Sequence, residues 1–222
     1  MGNVPSWGIV LFLTFSSNRI VKRKEEAMAS LRDLVLRNRS YRRFEESHRI
    51  QRETLVELAG LARCTPSAAN RQPLKYILSA DQKTNDRIFP CLLWAAYLKD
   101  WEGPAPGERP TAYIIILIDE TITKDWWCDD GIAAQTILLG AVEQGLGGCM
   151  IGSIDKERLR QELHIPEHLK IRLVVALGKP AEEVVLEDLK PGEQDIRYWR
   201  DEKGVHHVPK RMLEELIVTE GE

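Results

Sequence analysis

Two short polar stretches carry the side chains best suited to chemistry. The first, NRSYRRF (Asn38 to Phe44), brings Arg39, Arg42 and Arg43 together with the Ser40 hydroxyl. Guanidinium forks beside a hydroxyl suit a phosphate, which takes several charge-assisted donors at once. A solvated basic face, or a nucleic-acid patch running from Arg37 to Arg52, would use the same residues. The second stretch, CTPSAANRQPLKY (Cys64 to Tyr76), places Ser67, Asn70, Arg71 and Gln72 after Pro66, while Ala68 and Ala69 leave room for close approach. Hydroxyl, amide and guanidinium groups in that order can hydrogen-bond a flat heteroaromatic ligand. They also make up an ordinary helix-to-strand connection, so the residues alone leave both readings open. Lys210 and Arg211 form a further basic pair in VPKR, ahead of an apolar tail. Trp94, Tyr97 and Trp101 precede or open the loop WEGPAPGERP, and serve either as core aromatics or as a lid over a planar ligand.

Composition narrows what these groups can be for. The chain has 222 residues, 43% hydrophobic and 29% charged, with no linker-like tract, which fits one domain with a sizeable core. A net charge of -3 argues against a general nucleic-acid binder. Cys64, Cys91, Cys128 and Cys149 form no ligand pattern and are expected as reduced thiols in a cytoplasmic protein. His206 and His207 would point to opposite faces of a strand, and no carboxylate spacing around them suggests a metal cage. The apolar run Trp7 to Phe15 is too short to span a bilayer, and its positive charges follow it instead of preceding it as in a secretory signal. Met1-Gly2 with Ser6 matches a myristoylation pattern that is short enough to arise by chance. Met28 opens a more natural soluble start. Residues 1–29 are therefore expected as an extension outside the core, and 30–222 as a single domain without membrane or nucleic-acid partners.

The elements that must position the polar stretches follow from periodicity and punctuation. Ser30 caps a helix with Leu31, Leu34 and Val35 on one stripe, ending near Asn38; a second helix runs from about Arg52 to Arg63 with Leu55, Leu58, Ala59 and Ala62 on one face. Leu74 to Ser79 reads as a strand, and Asn85 to Leu98 as a helix or broken helix with Ile88, Leu92 and Leu93 inward. AYIIILI (Ala112 to Ile118) is the strongest strand signal, apolar and β-branched enough to be buried on both faces. Asp129 and Asp130 introduce a helix from Gly131 to Gln144, rich in small residues and ended by Gly145, Gly147 and Gly148. CMIGSI (Cys149 to Ile154) is extended. Asp155 caps a helix to Leu163, and Ile171 to Leu177 is another buried strand. From Ala181 the chain reads as acidic and irregular until VPKRMLEELIV.

Four of these segments, in this order, resemble the FMN-dependent nitroreductase family over about Leu31 to Val218. NRSYRRF is similar to its N-terminal Arg/Ser/Arg motif, and PSAANRQPLKY to its Pro-Ser...Asn-x-Gln-Pro signature, with Leu74 where an aromatic residue is common. GLGGCMIGSID and VVALGKP resemble its central helix exit and last core strand, and VPKR a basic C-terminal element. The resemblance implies an α+β fold of three layers, a mixed and mostly antiparallel sheet flanked by helices, in a homodimer with two FMN sites at the interface. It implies that Arg39, Ser40 and Arg42 bind the FMN phosphate and ribityl end, with Lys210 and Arg211 adding charge. Pro66, Ser67, Asn70 and Gln72 would serve the ring from the other subunit, and Met150, Ile151 and Gly152 would lie against it. Trp94, Tyr97 and Trp101 would border the substrate. Electrons would pass from NADH or NADPH to a nitroaromatic, quinone or similar acceptor with ping-pong kinetics, without a protein nucleophile. A flavin carrier or sensor, reductive dehalogenation and flavin breakdown are alternatives on the same scaffold. The chain is short for the family, and Asn38 stands where arginine is frequent.

Overall fold

The run Ala112 to Ile118 is buried along its whole length, and the rest of the fold is assembled around it. In the computed structural model, which describes residues 29–218, it forms strand β2 (Ala112–Asp119). The expectations for residues 1–27 lie outside the described residues. Strand β2 pairs with β1 (Leu74–Ser79) and β4 (Leu169–Gly178), and β4 pairs with β3 (Gly147–Ile151). The order is β1-β2-β4-β3, antiparallel at every step. Because side chains alternate across a strand, Ala112, Ile114 and Ile116 enter one core while Tyr113, Ile115 and Leu117 enter the other.

Helices cover both faces, giving the three layers. Against the first core lie α2 (Arg52–Arg63) and α4 (Asp129–Glu143), with α1 (Leu31–Arg37) beside α4. Leu55, Leu58 and Ala62 of α2 face Ile137, Leu138 and Ala141 of α4 there. Against the second lie α3 (Gln82–Ile88) and α5 (Lys156–Leu163). The caps follow the expected chemistry. Ser30 accepts from the Asp33 N–H in a capping box, and Asp155 accepts from the Arg158 N–H at 3.1 Å.

Three expectations need correction. Of the two readings of Asn85 to Leu98 the broken helix holds, and only as far as Cys91: Asp81 caps α3 earlier, and Pro90, which has no N–H to donate, diverts the chain into a 3-10 turn over Phe89–Cys91. Leu93 then points outward at 69% exposure while Leu92 bridges to Ile154. Gly145 alone closes α4, in a left-handed turn (φ 74°); Gly147 and Gly148 already belong to β3. The tail after Ala181 is not irregular. Strands β5 (Val184–Asp188), β6 (Trp199–Arg200) and β7 (His206–Lys210) form a second sheet of order β5-β7-β6, parallel between β5 and β7 and antiparallel between β6 and β7. Helix α6 (Leu213–Leu216) follows it. Among the described residues no helix is long and apolar enough to cross a membrane, no group of residues is arranged to hold a metal, and all four cysteines are free thiols.

Candidate functional site

The arginine-rich stretch leaves α1 through the cap residue Asn38 and runs beside the start of β3. Ser40 bridges to Gly148, and the Tyr41 N–H donates to the Gly148 carbonyl at 3.0 Å. This approach needs glycine on the sheet. A Cβ at Gly147 would stand 2.6 Å from the Tyr41 ring, and one at Gly178 would stand 2.6 Å from the Phe44 ring. Phe44, fully buried, then bridges to Pro180, which brings the stretch against the second sheet.

Arg39, Ser40 and Arg42 meet Met150, His206 and Lys210 around a cleft of about 370 Å³, with Gln135 of α4 and Tyr198 completing its wall. Arg42 is held on several sides. Its Nη1 donates to the Ser40 carbonyl at 3.1 Å and lies 3.2 Å from His206 Nε2, and its guanidinium stands 4.9 Å over the Tyr198 ring. Its backbone N–H donates to the Glu182 carboxylate, which also accepts from the Arg43 N–H at 3.1 Å and from Arg200 Nη2 at 2.8 Å. Arg39 donates Nη2 to the Val35 carbonyl at 2.6 Å, while its buried Nε has no partner. Burial lowers the Arg39 pKa from its ordinary value, though an arginine stays charged.

A second cleft of about 170 Å³ shares Arg42, Met150 and Tyr198 with the first, so the two adjoin. Ile151 and Gly152 form one side and Leu93 to Ala96 another. Of the three candidate aromatics, Trp94 borders this cleft from the core, only 9% exposed. Tyr97 and Trp101 line neither cleft. Tyr97 packs on Tyr198 at 4.9 Å, and Trp101 carries the Arg200 guanidinium at 4.5 Å, so they brace the wall instead of covering the opening.

The turn after α2 lines a separate cleft of about 140 Å³, through Pro66, Ser67, Gln72, Tyr76 and Asp129. No residue is common to this cleft and the arginine cleft. The Ser67 hydroxyl donates to Asp129 Oδ2 at 2.6 Å and accepts from the Gln72 N–H at 2.9 Å, and the Ala68 N–H donates to Asp129 Oδ1 at 3.0 Å. The first turn of α4 thus clamps the loop. Ala69, Asn70 and Gln72 adopt left-handed φ of 51–53°, which exposes Asn70 with its Oδ1 accepting from Gln72 Nε2 at 3.0 Å. Burial, with the Asp129 charge second, pushes the Tyr76 hydroxyl up to about 12.

Arg39, Ser40, Arg42, Met150 and Lys210 therefore come together as expected, with Ile151 and Gly152 next to them. Pro66, Ser67 and Gln72 line a separate cleft, and Asn70 lines none of the three. Arg211 turns to Glu215 at 3.7 Å and to Gln194 at 3.4 Å. Glu182, Tyr198 and His206 were not foreseen, because they lie in the segment that had read as irregular. The alternation of buried His206 and half-buried His207 was the available signal of a strand there.

Comparison with known proteins places these features. The sequence model of the nitroreductase family matches residues 35–179. A protein of Methanothermobacter thermautotrophicus with the provisional name NADH dehydrogenase/NAD(P)H nitroreductase is 29% identical over 171 residues, covering 74% of this chain and 81% of its own. A protein of Archaeoglobus fulgidus under the same provisional name is 28% identical over 158 residues, covering 68% of this chain and 85% of its own. Among solved structures, the FMN-dependent nitroreductase of Clostridium difficile shares the fold, with a TM-score of 0.55 at 22% identity over 68% of this chain and 87% of that one.

Proposed function

The chain belongs to the nitroreductase family, and from that premise we propose that it is a homodimeric FMN oxidoreductase. It would carry electrons from NADH or NADPH to a nitroaromatic, quinone or similar acceptor. The observation that carries this reading is the split site. A cationic stretch that includes Ser40 and an amide-bearing turn with complementary chemistry line separate clefts that share no residue, and the turn's cleft of about 140 Å³ is too small alone for such a cofactor. A second copy would close the turn of one protomer over the cleft of the other. Apolar surface supports such a partner: Leu31, Val35 and Leu36 of α1, Val56 and Leu61 of α2, and Leu213, Leu216 and Ile217 near the end are all more than 40% exposed.

The residues present fit the cofactor. Arg39, with its orphaned buried Nε, Arg42, Lys210 and the Ser40 hydroxyl supply the donors that a phosphate takes, and the end of β3 supplies a wall for a flat ring. Bound FMN supplies the two-electron chemistry. The chain's own work is to bind and orient it. Arg42 borders both clefts, so it would add its charge at the phosphate and ribityl end where the two adjoin. Met150 to Gly152 support one face, and Leu93 to Ala96 bound the space left for donor and acceptor. No protein nucleophile is called for: burial pushes the Cys91 and Cys149 thiols up, away from the reactive thiolate. A cytoplasmic setting, in keeping with the free thiols, is part of the proposal.

Purified protein should be yellow, and its flavin absorption should bleach anaerobically on addition of NADH or NADPH. Colourless protein that cannot be reconstituted with FMN would end the reading. Parallel double-reciprocal plots for quinone reduction would support ping-pong turnover, and absence of steady turnover would leave a flavin carrier. Replacing Arg39 with alanine removes charge-assisted bonds worth about 1.5–3 kcal/mol each, so FMN retention should fall at least about tenfold.

A further inference from the structure

We propose that His206 is a positioning residue that holds Arg42 for its anionic ligand, by accepting a hydrogen bond from Arg42 Nη1 into the ring nitrogen Nε2. This rests on the reading of the arginine cleft as the seat of the cofactor. A guanidinium carries five N–H groups. The two on Arg42 Nη1 are both spoken for, one by the Ser40 carbonyl at 3.1 Å and the other by His206 Nε2 at 3.2 Å. Arg42 Nε and Nη2 have no hydrogen-bond partner among the described residues, which leaves one edge of the fork free for a ligand. Fixing one nitrogen of the group in this way pre-organises the other two, and that lowers the entropy lost on binding.

His206 is built for the acceptor role. Its ring is 1% exposed, on the strand that also delivers Lys210 to the cleft, and packs 5.2 Å from the Tyr198 ring. For Nε2 to accept, the proton must sit on Nδ1, which is buried without a partner. The charged and titratable groups that face the ring are Arg42, Arg200, His207, Glu182 and Tyr198, and Glu182 is already paired with Arg200 at 2.8 Å. Burial first, and then the Arg42 charge, push the imidazole down to about 4, so it is neutral at physiological pH. Protonated, it would present a donor to a donor and release Arg42.

The contrary possibility is that His206 merely fills space under Tyr198, and a shape-conserving variant separates the two. His206→Phe keeps a ring but removes the acceptor, while His206→Gln restores an oxygen that can accept. FMN affinity followed by flavin fluorescence should fall about tenfold in His206→Phe with the melting temperature at pH 7.5 preserved, and recover most of the loss in His206→Gln. In the wild type, affinity should drop as pH falls below about 5, and this step should be missing in His206→Phe. Equal affinity and an equal pH profile in His206→Phe would overturn the proposal. A second arm needs no flavin: nitrogen-detected NMR of the apo protein should show the Nδ1–H tautomer, and Arg42→Met should raise the His206 pKa. An Nε2–H tautomer, or a titration indifferent to Arg42→Met, would also overturn it. Wild-type protein that takes up no FMN would remove the cofactor reading, while the NMR arm would still decide the role of His206.

Discussion

The four-stranded and the three-stranded sheet are stabilised by different means, and the site lies where they meet. In β2 seven consecutive residues are buried, so apolar burial on both faces fixes the register. In β5 and β7 most residues are half-exposed, and polar contacts hold the layer together. Glu182, its side chain 2% exposed, joins Arg200 to the backbone of Arg42 and Arg43, while His207 pairs with Glu187 at 2.6 Å and stacks on Trp199 at 4.1 Å. The rigid sheet supplies glycines and a flat edge for the arginine stretch to lean on. The polar sheet supplies the groups that aim those arginines.

Removing the keystone of the polar sheet should have the largest effect. Glu182→Ala leaves Arg200 and two N–H groups of the arginine stretch without their acceptor, a loss of about 3–5 kcal/mol for a buried pair broken on one side. The loss should be local. Hydrogen exchange should accelerate in β5, β6 and β7 while amides of β2 and β4 keep their protection. Uniform loss of protection would show that the two sheets unfold as one unit and would break the contrast drawn between them. Ile115→Ala tests the other side. It opens a cavity between β2 and the α3/α5 layer, costing about 2–5 kcal/mol, and should lower the denaturation midpoint and the protection of every slowly exchanging amide together.

The contrast also explains what was legible in the residue order. Strand β2 and the caps at Ser30 and Asp155 could be read because a doubly buried strand is a continuous apolar run and a cap is a local hydrogen bond. The arginine cleft was legible residue by residue because its donors are consecutive in the chain. VVLED and HHVPK are short, only partly buried and without a clean apolar alternation, and the pairing of β5 with β7 is parallel, set by contacts distant in sequence. Glu182 carries no local signal at all: its partners Arg42 and Arg43 stand about 140 residues earlier. The helical period that would turn Leu93 inward is interrupted at Pro90.

Acid should act on the polar sheet and on the cap of α3 in different pH windows. His206 has a folded pKa of about 4 against an ordinary 6.5, so below pH 6.5 the unfolded chain binds a proton that the folded chain refuses. Stability should therefore decline as pH falls from about 6.5 to about 4, by at most about 3 kcal/mol, and be flat above that window. Asp81, at the cap of α3, acts in the same direction but at lower pH. The Thr84 N–H holds its carboxyl below the usual value, so its contribution is present above about pH 4 and disappears only as pH falls further. Urea midpoints measured from pH 8 to 4 should show a slope in the wild type that is smaller in His206→Phe; identical slopes would place the acid sensitivity elsewhere.

The smallest expected effect on stability concerns the turn after α2, and it bears most directly on the split site. Asp129→Ala removes the acceptor for the Ser67 hydroxyl and the Ala68 N–H, two charge-assisted bonds that hold residues 67–72 onto α4. The turn is largely exposed and can regain water, so the net cost should stay at about 1.5–3 kcal/mol. Asn70→Ala, at an exposed side chain, should cost less than about 0.5 kcal/mol. If the turn reaches a flavin held by the partner's arginine cleft, both variants should weaken FMN binding, Asn70→Ala with its melting temperature unchanged. Mixing Asn70→Ala with Arg39→Ala protomers should then give heterodimers with one intact site, made from the wild-type turn of one protomer and the wild-type cleft of the other. Flavin occupancy near one per such mixed dimer, against little in either parent, is the expected result. No recovery on mixing would place both groups in the same protomer's site, and the two clefts would have to be explained separately.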